Sequence, residues 1–192
     1  MTDARVTNYT TRSLDADTWP DFAALVETNN GVWGGCWCIW YHGKAEADLA
    51  VEERRAAKEC RVREGRAHTA LVYEGEACVG WCQFGTPDEL PRIHNARAYA
   101  KEAGPTPDWR ITCFFSGKGH RGSGVASAAL EGAIAQIREL GGGRVEGYPE
   151  DIAGRKASPA FLFNGALHMF ERLGFARDRK IGKHKWVVTL DV

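Results

Sequence analysis

Stretches with a two-residue apolar period alternate along the chain with stretches of helical period. Val6 to Leu14 reads as a first strand, polar enough to lie at a sheet edge. With Asp17 as candidate N-cap, Phe22, Leu25 and Val26 recur at helical spacing until Asn29-Asn30-Gly31 stops the helix. Val32 to His42 fits neither period. Residues 44–65 are charged and alanine-rich, which predicts a surface helix ending near Gly65. Thr69–Tyr73 and Ala77–Phe84 alternate about the turn Glu74-Gly75-Glu76 and predict a β-hairpin, with Cys78 and Cys82 on one face. Residues 85–108 form an excursion with a short helix near 92–102. Trp109 to Phe115 reads as a strand, with Trp109, Ile111, Cys113 and Phe115 on one face and Thr112 and Phe114 on the other.

A helix from 124 to about 140 follows, stopped by Gly141-Gly142-Gly143, and then a short strand from Arg144 to Tyr148. Residues 150–159 are a polar loop. Phe161 to Leu173 reads as an apolar helix ended by Gly174, and Phe175–Ile181 and Lys185–Val192 as a final antiparallel pair. Residues 109–148 are thus one strand–helix–strand crossover, which should be parallel and right-handed. The resulting expectation is an α+β fold: a mixed, mostly antiparallel twisted sheet of about seven strands, flanked by helices, with one parallel βαβ crossover. No repeat or boundary divides the chain, so residues 1–192 are expected to form a single domain.

Composition narrows the partners. Twenty-five basic and 25 acidic residues give a formal net charge of zero, so nothing draws the whole protein to nucleic acid or an acidic membrane. The start, Met1-Thr2-Asp3-Ala4-Arg5, lacks the regions of a signal peptide, and no apolar run approaches a membrane span. The expected location is cytoplasmic, with the six cysteines reduced and the protein a monomer or homodimer. Cys36-x-Cys38 has neither zinc-knuckle spacing nor a second motif, so no metal is expected.

The densest chemistry lies in Cys113-Phe114-Phe115-Ser116-Gly117-Lys118-Gly119-His120-Arg121-Gly122-Ser123-Gly124, where an apolar strand runs through a glycine-rich basic loop into a helix. Glycines let backbone approach a ligand, and the free N–H groups of a first helical turn favour an anion. The loop can be read in three registers. Gly117 to Gly122 spells G-x-G-x-x-G, and Glu146 lies where a ribose-binding acid of a dinucleotide site would fall. Such domains repeat the strand–helix unit, however, and here one crossover follows an antiparallel hairpin. A kinase-type P-loop fails because no Gly-Lys-Ser/Thr closes the loop. The third register is Arg121-x-x-Gly124-x-Ala126.

That third register resembles the coenzyme A pyrophosphate loop of the GNAT superfamily of N-acetyltransferases, Gln/Arg-x-x-Gly-x-Gly/Ala. Val79-Gly80-Trp81 resembles a family strand, Phe170-Glu171-Arg172-Leu173-Gly174-Phe175 resembles its helix-ending signature, and the element order is similar over most of the chain. Gly35-Cys36-Trp37-Cys38 and Cys113-Phe114-Phe115 look like a bacterial subgroup. The resemblance implies acetyl-coenzyme A as co-substrate, with its pyrophosphate on Arg121, Gly122, Ser123, Gly124, Val125 and Ala126. Its pantetheine arm would lie along Phe114, Phe115 and Ser116, in a gap between this strand and the 144–148 strand. A backbone N–H near Phe115 would polarise the thioester for direct attack by an amine of a small molecule or protein. The chain departs from the family at Phe170, which stands where a thiolate-protonating tyrosine is usual, and at Asn164, one position off the pattern. Tyr148 is a substitute acid, Glu146 the candidate base and Cys113 a further reactive group. Trp33, Trp37, Trp40 and Tyr41 either wall the substrate side or plug the sheet. The missing tyrosine keeps open a non-catalytic acyl-coenzyme A sensor.

Overall fold

The computed structural model describes residues 8–102, 104–155, 157–158 and 161–192. Seven strands form one sheet: β1 (Tyr9–Ser13), β2 (His68–Glu74), β3 (Ala77–Gly85), β4 (Trp109–Ser116), β5 (Arg144–Gly147), β6 (Ala176–Lys180) and β7 (Trp186–Asp191). Their spatial order is β1-β2-β3-β4-β5-β7-β6, and only β4 and β5 pair in parallel. This is the expected α+β sheet, with its parallel crossover through α5 (Val125–Glu139). The expected first strand is shorter than its sequence pattern, and its residues Val6 and Thr7 lie outside the described residues.

Helices cover both faces of the sheet. Ala129, Leu130, Ala133, Ile134 and Ile137 of α5 and Leu167, Met169 and Phe170 of α6 (Leu167–Arg172) pack on one face, against Val72, Phe84, Ile111 and Val145. On the other face lie α1 (Trp19–Thr28) and the segment after it. There Phe22, Trp37, Trp81 and Phe115 interlock, with Phe22 and Trp81 centroids 4.9 Å apart. Each such fully buried side chain contributes about 1.5–3 kcal/mol.

Two bulges change which residues share a face. Gln83 pairs with Cys113 but Phe84 with Ile111, so β4 carries one extra residue at Thr112. Trp109 and Ile111 therefore face α5 with Phe114, while Cys113 and Phe115 face α1. The strict alternation read from sequence fails there. A second shift, between Val72 and Tyr73, leaves Cys78 on the α1 side and Cys82 on the α5 side, not on one shared face.

Several helix expectations also change. Thr18, not Asp17, is the N-cap of α1, and no side chain caps the helix; the Asp15 carboxylate instead holds the turn before it, accepting the Asp17 and Thr18 N–H groups at 2.9 and 3.0 Å. The charged 44–65 stretch is broken into α2 (Lys44–Ala47) and α3 (Val51–Arg63), and Lys58 of α3 is fully buried. The short helix of the excursion is α4 (Ala96–Lys101). The apolar 161–173 stretch is helical only from Leu167; the turns before it reach back to β4. The segment that fits neither period is left-handed: Asn30, Val32, Trp33, Trp37 and Cys38 all have φ between 47° and 55°. Such backbone is strained for L-residues, and burial of Val32, Trp37 and Cys38 offsets it.

Candidate functional site

The site is built where β4 outlasts its parallel partner. Pairing with β5 ends at Ile111 opposite Gly147, and from there to Ser116 the only strand β4 pairs with among the described residues is β3. Gly117 N–H donates to Val79 O on β3 at 2.8 Å. By the alternation of antiparallel pairing, Phe115 turns its backbone groups toward β3, whereas Phe114 and Ser116 turn theirs into the gap. The backbone donor facing the gap is thus Phe114 N–H, and it donates to Phe163 O at 2.7 Å. The turns before α6 therefore occupy part of the space left by β5.

Asn164 holds that arrangement. Its buried amide donates to Thr112 O at the bulge and to the Tyr41 hydroxyl at 2.8 Å, and its Oδ1 accepts from Lys185 Nζ at 2.7 Å. One side chain thus ties β4, the segment after α1 and the β6–β7 hairpin together. Sequence reading left Asn164 without a role because its partners lie 21, 52 and 123 residues away.

The glycine loop closes on itself. His120 N–H donates to Gly117 O at 3.1 Å, Ser123 Oγ donates to His120 O at 2.6 Å, and the Tyr9 hydroxyl lies 2.8 Å from Ser123 Oγ. Gly124, with φ at 96°, is the N-cap of α5, a conformation that favours glycine. Arg121 through Gly124 are exposed, so the first turn of a 15-residue helix opens to solvent. Its N–H groups and dipole favour an anion there.

Two cavities meet beside β4. One, of about 260 Å³, runs from Arg121, Gly122 and Ala126 along Phe114, Phe115 and Ser116. The other, of about 320 Å³, is bounded by Trp40, Tyr41, His94 and Cys113. Trp33 and Phe163 line both. Of the loop and strand residues singled out from sequence, Phe114, Phe115, Ser116, Arg121, Gly122 and Ala126 line one cavity, while Ser123, Gly124 and Val125 do not; Trp33, Trp40, Tyr41 and Cys113 line the other.

It does not bring Trp37, Glu146 or Tyr148 there. Trp37 is core, its ring centroid 6.0 Å from that of Trp19. Glu146 is buried and accepts hydrogen bonds from the Tyr99 and Tyr148 hydroxyls at 2.9 and 3.1 Å. None of these three residues lines either cavity. Phe170, fully buried, packs edge-on against Phe114 with centroids 5.9 Å apart.

Behind the second cavity lies a buried polar chain that sequence patterning missed, since its residues look like isolated surface or core positions. Cys113 and Cys38 sulfurs lie 3.2 Å apart. The hydrogen-bonded Cys113 thiol holds Cys38 below the ordinary thiol range, and Lys58 adds to this against the opposing effect of burial. Cys113 is pushed up by the same pairing and by burial. Lys58 Nζ and the Gln83 amide lie 3.2 and 2.9 Å from His42 Nε2. Both are donors, so Nε2 is the acceptor of a neutral ring whose Nδ1–H donates to Glu89 O at 3.0 Å. Burial, then Lys58, presses His42 down to about 2. Lys58 itself is lowered to about 8, chiefly by burial.

A helix start open to anions is thus continued by a groove along the β4 edge into an aromatic cavity. The acetyltransferase (GNAT) family model matches residues 14–175. Among solved structures, the GNAT domain of PAT from S. lividans is 16% identical at a TM-score of 0.55, covering 95% of this chain and 89% of that one. An N-acetyltransferase from Staphylococcus aureus Mu50 is 14% identical at 0.52, covering 96% and 98%. The yncA structure from Salmonella typhimurium, solved with its cofactor acetyl-CoA, is 17% identical at 0.51, covering 96% and 92%. No curated protein matches the chain. The chain belongs to the GNAT acetyltransferase family.

Proposed function

We propose that the protein is an acetyl-coenzyme A-dependent N-acetyltransferase that acts on an amine of a small molecule or protein by direct attack. The observation that carries this reading is the junction of the two cavities at Trp33 and Phe163, beside the end of β4 that β5 does not pair. The chain's groups fit the donor. Arg121 and the N–H groups of the α5 start suit a pyrophosphate, and the Phe114–Ser116 edge suits an amide-bearing arm. Acetyl-coenzyme A supplies an activated acetyl thioester. In the reaction an amide bond forms at the amine nitrogen as the thioester C–S bond breaks, and the amine's proton is balanced by the thiol released.

Phe114 N–H is the donor we assign to a carbonyl oxygen in the gap, in exchange for Phe163 O; such a donor is worth about 3 kcal/mol in a transition state. For the leaving thiolate, Tyr41 takes the role that Phe170 cannot fill. Tyr41 lines the acceptor cavity and is fixed by Asn164; burial, then Cys113, raises its pKa and keeps it protonated. Cys113 lines the same cavity, but its sulfur is engaged by Cys38 at 3.2 Å, so the acid role falls to Tyr41. Glu146 and Tyr148, bonded to each other away from the cavities, serve the fold in this reading. The Gly35–Cys38 and Cys113–Phe115 segments, which we propose mark a subgroup, meet here through Cys38 and Cys113.

Two measurements test the proposal. Acetyl-coenzyme A should raise the melting temperature where NADPH does not, because a ligand that binds only the native state stabilises it. Thiol release should then depend on an added amine. A thermal shift with NADPH alone contradicts the reading, and a shift with acetyl-coenzyme A but no amine-dependent thiol release makes the protein a sensor.

A further inference from the structure

We infer that the acceptor is an amine with a flat aromatic body and a carboxylate, and that Arg54 binds the carboxylate. This rests on the transferase reading above and adds the substrate class. The acceptor cavity is walled by aromatic rings, and among the described residues no aspartate or glutamate lines it. Its formal charge comes from Arg54 of α3, at the wall. Arg54 Nε donates to Leu49 O at 3.0 Å, and among the described residues no carboxylate lies within ion-pair distance of its guanidinium. The terminal nitrogens are left to meet a ligand, and a guanidinium suits a carboxylate in two-point contact.

The surroundings favour anions over cations. Arg92 lies 3.8 Å from the Trp40 ring centroid and His94 stacks on the same ring at 4.4 Å. The ring that would best cage an ammonium is thus already engaged. Lys185 and Arg92 both act against a proton on His94, whose pKa burial first presses down to about 4, so the wall carries a positive field. An alkylammonium entering this cavity sheds water and finds like charge and no counter-ion. An aromatic body finds Trp33, Tyr41 and Phe163 instead. The same field favours the unprotonated amine, the form that attacks.

The test compares acetyl transfer to matched probes: L-phenylalanine against 2-phenylethylamine, and 4-aminobenzoate against aniline, with spermidine as a polycation. Wild type, Arg54→Met and Arg54→Lys are assayed, and thermal shift with acetyl-coenzyme A is measured on each. The carboxylate-bearing member of at least one pair should show roughly tenfold or greater kcat/KM over its partner, the size of one charge-assisted contact. That ratio should fall to about one in Arg54→Met and lie between in Arg54→Lys. A ratio of one or below in wild type, a ratio that survives Arg54→Met, spermidine as the best probe, or no transfer to any carboxylate probe overturns the inference. Absence of a thermal shift with acetyl-coenzyme A in wild type shows instead that the transferase reading has failed. A shift that persists while the carboxylate has no effect shows that only the acceptor class is wrong.

Discussion

Replacing Asn164 with alanine should couple loss of stability to loss of chemistry. The side chain makes three hydrogen bonds, to Thr112 O, the Tyr41 hydroxyl and Lys185 Nζ. Losing the two neutral bonds costs about 1 kcal/mol each, and the bond to the ammonium about 2 kcal/mol. Some of this is recovered. Tyr41 lines a cavity that water can enter, and Lys185 keeps Tyr148 O at 3.4 Å and Glu150 at 3.8 Å. A net loss of about 3 kcal/mol follows, or roughly 6–12 °C in melting temperature for a chain of this size. Asn164→Asp keeps an acceptor for Lys185 but sets a carboxylate against Thr112 O, and should fall between alanine and wild type. Urea unfolding measures the stability, and thiol release at saturating acetyl-coenzyme A measures kcat. The expected kcat loss is about tenfold or more, because Tyr41 loses its anchor. A stability loss below about 1 kcal/mol, or Asn164→Asp matching wild type in both assays, would refute the assignment of Asn164 as the tie between β4 and Tyr41.

Other perturbations follow from buried charge and close packing. Lys58 is lowered to about 8 in the native protein from an ordinary 10.5, so between those values the unfolded chain binds more protons and native stability rises with pH. Lys58→Met should flatten that rise in denaturation measured from pH 7 to 10 and should stabilise the protein at pH 7 by about 1–3 kcal/mol; a destabilised variant contradicts this. His94 is pressed from 6.5 to about 4, first by burial and then by Lys185 and Arg92, so its native stability contribution is lost as pH falls through that window. His94→Phe retains a ring against Trp40 and should lessen the fall in stability between pH 6.5 and 4, read by unfolding at several pH values. At Gly80 an added Cβ would meet Phe115 O at 2.6 Å and the Val125 side chain. Gly80→Ala should cost about 1–3 kcal/mol and weaken acetyl-coenzyme A binding, read by calorimetry, because Phe115 lines the groove and Val125 begins the helix beside it.

What sequence could and could not reveal divides along physical lines. The β2–β3 hairpin, the β4–α5–β5 crossover and the glycine loop are local in sequence and carry strong period or glycine signals, so they were legible. The two bulges were not. An extra residue at Thr112 leaves no mark in an apolar run, yet it turns Cys113 away from Ile111 and sets which cavity that thiol lines. The left-handed backbone from Asn30 to Cys38 registered only as a failure of both periods. Lys58 reads as a solvent-facing helix residue because its surrounding stretch is charged; only tertiary packing against His42 buries it. Glu146 looked catalytic because it shares a strand with the gap, but its face of the sheet is closed by Tyr99 and Tyr148. The glycine loop is therefore local in the chain, whereas the aromatic cavity is assembled from segments distant in it.

A crystal structure of the protein with coenzyme A would decide where the donor lies. Density is expected for the pyrophosphate on residues 121–126 and for the arm along Phe114–Ser116, with the thiol between Trp33 and Phe163 and Phe114 N–H released from Phe163 O. Density for the ligand away from the β4 edge, or a thiol that does not reach the aromatic cavity, would contradict this placement.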